Sequence, residues 1–251
     1  MAEETDRAAR NLSFGSVAAD YERYRLEYPD EVVDAVLRYA GRPIRSALEV
    51  GAGTGKATRR FASRDITVTA LEPDPRMAEM LAATTRHLPV TPVAATFEAF
   101  ASGPAFDLVY AAASWHWVDP GVRTAHAAEL LVPGGVLALI GMLGDLADPA
   151  LYAAVDEIER RAFPSRVGTD VRPWSIDEVT DHGAFTDVEQ RTLQHPLTST
   201  PDEFIARLGT VSAYLMLNRA DRAAAFERIR AVLPERFELD GAVHLVLARR
   251  R

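Results

Sequence analysis

The chain has 251 residues, 48% of them hydrophobic and 25% charged, with a formal net charge of −8 at pH 7 and no cysteine. Such a length can bury one large core, with or without a lid, and the acidic balance argues against a general nucleic-acid binder, which needs a basic face to displace counterions. Disulfides, thiolate metal ligands and a cysteine nucleophile are excluded; no apolar run is long enough to span a bilayer, and the polar opening MAEETDRAARN lacks the apolar stretch of a secretion signal. A cytoplasmic protein, with neither membrane nor nucleic acid as partner, is the expectation.

Residues 1–13 read as a flexible tail and 14–43 as N-terminal cap helices, with tyrosines at 21, 24 and 28. Pro29 and Asp30 open a helix whose Val33, Val36, Leu37 and Ala40 share one face. In 44–143, "SALEV" is a strand ending at a glycine turn, followed by a helix from about Lys56 to Ser63 and a second strand, "ITVTALEP". Asp74 and Pro75 cap a helix with Met77, Met80, Leu81 and Thr84 on one side. "VTPVAA" and "FDLVYAAA" follow as strands. A helix from about Gly121 to Leu131, stopped by Pro133-Gly134-Gly135, then leads to the strand "VLALIG". Short apolar strands between amphipathic helices predict an α/β doubly wound fold, its parallel sheet covered on both faces.

Residues 144–251 change rhythm and supply helical insertions and the C-terminal strands that complete the same single domain. Leu151, Val155, Ile158 and Ala162 mark a helix over 148–163. Capping boxes at Ser175–Glu178 and Thr200–Glu203 open two more, and Phe226, Ile229 and Leu233 mark a further one. "VEQRTLQHPL" and "FELDGAVHLVLARR" read as strand material.

The stretch "ALEVGAGTGKATRR" admits three ligands. A phosphate-binding loop requires G-x-x-x-x-G-K-[ST], and the chain has Val50 and Ala57 at the two ends, so Lys56 reads as an exposed first-turn residue. Arg59, Arg60 and Arg64 read as solvated helix surface. A dinucleotide fingerprint requires G-x-G-x-x-G; here the glycines fall at 51, 53 and 55 and the sixth position is Lys56. The third reading is a nucleoside turn without a pyrophosphate, formed by a strand ending in Glu49, the three glycines, and a second acid, Glu72, at the end of the next strand.

Glu49 to Gly55, followed by "ALEPDPRM", resembles the class I S-adenosylmethionine-dependent methyltransferases. "FGSVAADYERYRLEYP", "LEPDPRM", "AAASWHWVD" and "LGTVSAYL" resemble the branch that includes the trans-aconitate methyltransferases and related type 11 small-molecule enzymes. The resemblance implies a Rossmann-like sheet of seven strands, mostly parallel with the last antiparallel, with helical lid insertions. It also implies S-adenosylmethionine as methyl donor, S-adenosylhomocysteine as product, and no metal; the six histidines lack metal-ligand spacing with nearby acids.

Carried over residue by residue, Gly51, Ala52, Gly53 and Gly55 allow close backbone approach to the cofactor, and Glu49 sits near its ammonium end. Glu72, beside Pro73, accepts from both ribose hydroxyls, or else serves as a helix-dipole acid. Thr96, Phe97 and Glu98 line the adenine, although relatives commonly have a small residue at the place of Phe97. Met77 packs on the adenine or in the core, and Ala111 and Ala112 keep the end of the fourth strand open. Tyr21 and Arg25 close over the cofactor, with Arg25 near its carboxylate, or belong to an ordinary aromatic-rich helix; Leu26 stands where relatives have proline. His116 is the candidate base or acceptor-orienting group, with a structural histidine as the alternative. Trp115 and Trp117 divide between pocket and core. Thr210, Ser212 and Tyr214 resemble acceptor-facing residues, with Tyr214 alternatively filling the core; Trp174, just before the Ser175 cap, is a further lid residue toward the substrate or else pins the lid to the sheet. Arg172 and Arg219 could meet an acidic acceptor. The expectation is O-methylation of a carboxylate or hydroxyl on a small molecule by a monomer or homodimer. A nicotinamide-dependent dehydrogenase and a non-catalytic cofactor-binding module are the alternatives.

Overall fold

In the computed structural model, which describes residues 14–102, 105–142, 144–163 and 176–251, the apolar runs assemble into one sheet. Its strands are Ser46–Val50 (β1), Thr67–Leu71 (β2), Val90–Val93 (β3), Phe106–Ala112 (β4), Leu131–Met142 (β5), Phe185–Leu193 (β7) and Val243–Arg250 (β10). The order is β3-β2-β1-β4-β5-β10-β7. All neighbours among β1–β5 are parallel, and β10 runs antiparallel to both β5 and β7. The last strand alone is therefore reversed, as the resemblance implied.

Side chains alternate between the two faces with the period-2 geometry of a strand. Ala47, Val68, Leu108, Tyr110 and Ala138 enter one core, covered by Asp30–Ala40 (α2), Lys56–Ala62 (α3) and Leu81 of Pro75–Thr85 (α4). Leu48, Val50, Val109 and Leu137 enter the other, covered by Arg123–Leu130 (α5) and by Val179 of Ile176–Thr180 (α7). The Asp74 carboxylate caps α4 by accepting from the N–H groups of Arg76 and Met77, with Pro75 in the first turn.

Three boundaries differ from the reading of the sequence. Helix α5 ends at Leu130, and β5 begins at Leu131 and runs through Pro133-Gly134-Gly135. Pairing of β5 with β10 starts only at Val136, so Pro133 blocks no bond to that strand. The closing run divides at Gly241-Ala242: Phe237–Asp240 (β9) joins a second sheet, while β10 enters the large one. A Cβ on Gly241 would collide with the His195 carbonyl oxygen, and the Asp240 carboxylate accepts from the Ala242 N–H at 2.9 Å. "VEQRTLQHPL" likewise breaks between β7 and Leu197–Ser199 (β8).

The chain forms two compact units, and the expected blocks 14–43 and 144–251 are each shared between them. The sheet unit holds the described residues of Glu27–Met142, Arg172–Leu193 and Val243–Arg251; the other holds those of Met1–Leu26, Leu143–Val171 and Gln194–Ala242. The second unit contains Ala18–Tyr24 (α1), Asp145–Leu146 (β6), Pro149–Ala162 (α6), Pro201–Leu208 (α8), Ser212–Leu215 (α9) and Arg219–Val232 (α10). Its three-stranded sheet has the order β6-β9-β8. Val155, Phe204, Ile229, Phe237 and Leu239 share its core. The Thr200–Glu203 capping box forms as expected; the Ser175 box lies outside the described residues. Among the described residues, no helix is long and apolar enough to cross a membrane.

Candidate functional site

The strand order reverses beside β1: β2 lies on one side and β4 on the other. In open α/β sheets the crevice outside the carboxyl ends of such strands is where ligands bind. The chain turns there from Val50 through Gly51 (φ +66°), Gly53 (φ +59°) and Gly55 (φ +91°). A Cβ on Gly51 would lie 2.7 Å from the Cβ of Ser114. Ser114, just beyond β4, donates its hydroxyl to the Val50 carbonyl and so ties the two strand ends together. Between them Ala113 holds φ +56°, unusual for a residue with a side chain. The Ala52 N–H donates to the Leu71 carbonyl at 2.8 Å, which draws the turn toward the end of β2.

Two buried carboxyls stand at this turn. Glu72 accepts from the Gly53 N–H at 2.8 Å through one oxygen and from the Asp74 N–H at 2.9 Å through the other. Burial raises its pKa despite these two bonds, and each oxygen retains a second lone pair. Glu49 is 1% exposed and faces the core that holds Tyr110 and Phe61. Its Oε2 accepts from the hydroxyls of Thr58 and, at 2.9 Å, Tyr110. Burial pushes the Glu49 carboxyl up to about 8, against the opposing effect of those two hydroxyls. Thr58 and Tyr110 escaped sequence reasoning, although Tyr110 is the direct neighbour of Glu49 once β1 and β4 pair.

Lys56 is a correction. It is 6% exposed, and its ammonium donates to Glu27 at 2.6 Å. Arg59 and Arg60 also reach Glu27, at 3.4 and 3.6 Å, and Arg64 pairs with Asp34.

Beyond Ser114 the "WHW" stretch is a single turn of 3₁₀ helix. Trp115 has no exposed surface and packs in the second core with Phe97, their ring centroids 5.9 Å apart. This corrects two expectations. Trp117, partly exposed and beside the His116 ring at 4.6 Å, is the open member of the tryptophan pair. Phe97, 3% exposed and also against His126, is core and offers no face to an adenine. Its neighbours Thr96 and Glu98 are exposed, and Glu98 accepts from the Asp119 N–H at 3.0 Å. Met77 and Ala111 are buried, whereas Pro73 and Ala112 stay partly open.

Arg123 anchors the turn. Its guanidinium lies over the Trp115 ring, donates to the Trp115 carbonyl at 2.7 Å and forks onto Glu178, whose carboxylate also accepts from Thr124. Burial raises the Glu178 pKa, but the hydrogen bonds from Arg123 and Thr124 and the Arg123 charge outweigh it and leave the pKa lowered. A depressed carboxylate stabilises the fold above its unfolded pKa, near 4.3, and ceases to do so as pH falls through its folded value. Glu178→Gln should therefore cost about 2–4 kcal/mol at pH 7, with the gap to wild type narrowing below pH 4. Urea titrations at pH 7 and 3.5 measure it; a gap that does not change with pH contradicts the ion pair.

A methyltransferase-domain family matches residues 48–139, from β1 to β5. An uncharacterized methyltransferase of Mycobacterium tuberculosis is 32% identical over 223 residues, 89% of this chain and 86% of the relative. The chain is a class I S-adenosylmethionine-dependent methyltransferase. A candidate type II methyltransferase from Anaeromyxobacter dehalogenans has a similar structure, with 25% identity, a TM-score of 0.59, and coverage of 90% of this chain and 97% of that one. Phosphoethanolamine N-methyltransferase 2 of Haemonchus contortus, solved with S-adenosyl-L-methionine, shares the fold at 14% identity and a TM-score of 0.55, over 94% of this chain and 57% of that one.

The methyltransferase keeps several other expected site residues in its second unit. Arg25 donates to the Thr210 hydroxyl at 2.9 Å and to the Thr210 carbonyl at 2.8 Å, with its guanidinium over the Tyr21 ring. Two faces of Arg25 are thus committed to this unit. Thr210 is fully buried and Tyr214 is 1% exposed, the Tyr214 hydroxyl donating to Glu159 at 2.7 Å. Both are core residues here, a correction to their expected acceptor-facing role; Ser212 is partly exposed and Arg219 exposed. Trp174 and Arg172 lie outside the described residues. Among the described residues, no group of three or more His, Asp or Glu could hold a metal.

Proposed function

We propose that this methyltransferase transfers the methyl group of S-adenosylmethionine to a carboxylate or hydroxyl oxygen of a small-molecule acceptor, without a metal, in the cytoplasm and as a monomer or homodimer. The turn fits the donor: Gly51 and Gly53 stay partly exposed, and Glu72 holds free lone pairs for two ribose hydroxyls. Pro73, Thr96 and Ala112 flank the nucleoside. When bound, the donor presents a methyl carbon on cationic sulfur, open to in-line displacement. The chain supplies alignment, which can be worth about 7–11 kcal/mol.

The observation that carries the oxygen reading is His116. Its ring is partly buried two residues beyond Ser114, the residue that packs on Gly51. There an imidazole takes the proton that a hydroxyl acceptor loses as its oxygen bonds to carbon; a carboxylate acceptor loses none and uses His116 for orientation only.

Methyl-labelled S-adenosylmethionine, incubated with small carboxylates and hydroxylated compounds and read by mass, tests this reading. His116→Ala should slow a hydroxyl acceptor by about 10²–10⁴-fold and a carboxylate acceptor by less than about tenfold. Transfer confined to amine or carbon acceptors would overturn the oxygen assignment.

A further inference from the structure

The carboxyl of Glu49 is an unusual thing to bury. It lies at the carboxyl end of β1, one residue before the turn, with 1% exposure and hydroxyl donors on one oxygen. The charged or titratable groups facing it are Glu72 from the end of β2, Arg59 from α3 and Tyr110 from β4. Glu72 repels a charge on Glu49, and Arg59 makes no hydrogen bond or ion pair to it. Phe61 stacks on the Tyr110 ring at a centroid separation of 4.2 Å and closes the site from the helix side. With both hydroxyls donating to Oε2, a neutral Glu49 carries its proton on Oε1.

We propose that Thr58 and Tyr110 are positioning residues for S-adenosylmethionine, acting through the Glu49 carboxyl, and that this carboxyl releases its proton to solvent when the cationic ligand binds at the turn. The inference rests on the cradle proposed above. An ammonium group, alone or with the sulfonium, adds positive charge to that of Arg59, which lowers the Glu49 pKa less than burial raises it, and an opposite charge within a few ångströms favours ionisation. The two hydroxyls stabilise the ionised form, so they set how much of the binding energy the deprotonation consumes. Linkage gives the sign: below the free-state pKa the free protein holds one proton that must leave on binding, so affinity falls by up to about tenfold for each unit drop in pH.

The test is calorimetric titration of the full chain with S-adenosylhomocysteine between pH 5.5 and 7, in two buffers of different ionisation heat. In this window the ligand's α-amino group stays charged. Wild type should release close to one proton, and its affinity should rise about tenfold per pH unit. Glu49→Gln, which keeps an acceptor oxygen for the two hydroxyls, should release no proton from this site and show a nearly flat profile. Tyr110→Phe and Thr58→Val each remove a donor that favours the ionised carboxyl, so each should move the wild-type profile to higher pH, with Thr58→Ser restoring it. A purely structural role would weaken binding equally at every pH. The same proton count in wild type and Glu49→Gln, or weaker binding in Tyr110→Phe with no movement along the pH axis, overturns the proposal. Weakened binding in Glu72→Ala alongside either result would leave the cradle standing and sink only this inference.

Discussion

Replacing Glu72 by alanine should lower the affinity for S-adenosylhomocysteine by about 10²–10⁴-fold while the protein stays folded. The carboxylate holds the Gly53 N–H and the Asp74 N–H, one with each oxygen, and the proposed ribose contacts use the lone pairs that remain. Hydrogen bonds to a charged acceptor are worth about 1.5–3 kcal/mol each, and 1.4 kcal/mol is tenfold in affinity, so losing two accounts for the predicted range. Stability should change less, because removing a carboxyl whose burial disfavours its charged form offsets part of the cost of the two orphaned N–H groups. Glu72→Gln, with one acceptor oxygen in place of two, should fall between. Calorimetric titration gives the affinities and a thermal melt the folding control; an alanine variant binding within threefold of wild type would remove Glu72 from the ribose site.

The second large effect is expected at Gly51. A methyl group there would sit 2.7 Å from the Ser114 Cβ, on a backbone with φ +66°. The conformation costs an L-residue roughly 1–2 kcal/mol, and overpacking adds about 1–3. At about 2–4 °C per kcal/mol for a chain of this size class, Gly51→Ala should melt about 4–20 °C below wild type. The double variant Gly51→Ala/Ser114→Gly removes the clash and keeps the backbone strain, so, measured against Ser114→Gly alone, which already lacks the hydroxyl bond to Val50, it should show about half the loss. A single variant melting within about 2 °C of wild type would show that the two strand ends are not in the contact described.

The central strands β1, β4 and β5 were legible because they are buried on both faces and so read as apolar runs. The glycine turn and Glu72 were legible because close backbone approach and a strand-end acid leave a local pattern. The tryptophan pair was not: the 3₁₀ turn over Trp115–Trp117 replaces strand alternation, so spacing could not say which ring turns inward. Arg123 and Glu178 stand 55 positions apart, and nothing in the spacing of charges announces a pair at that range. Phe97 looked like a ligand-lining residue because it follows β3, yet its ring completes the core beside Trp115 and His126. The break at Gly241-Ala242 hides inside a run of uniform strand character, and the contact that requires glycine there comes from distant His195.

The reversed strand β10 also bears on biosynthesis. It lies between β5 and β7, so β7, complete at Leu193, must wait about fifty residues for the partner that begins at Val243. During that interval a growing chain carries two unsatisfied backbone edges, the kind of surface that recruits neighbouring chains. A ribosome that stalls within those residues, or a nuclease-shortened message, would leave a product prone to aggregate, whereas a chain completed through Arg250 seals both edges in one step.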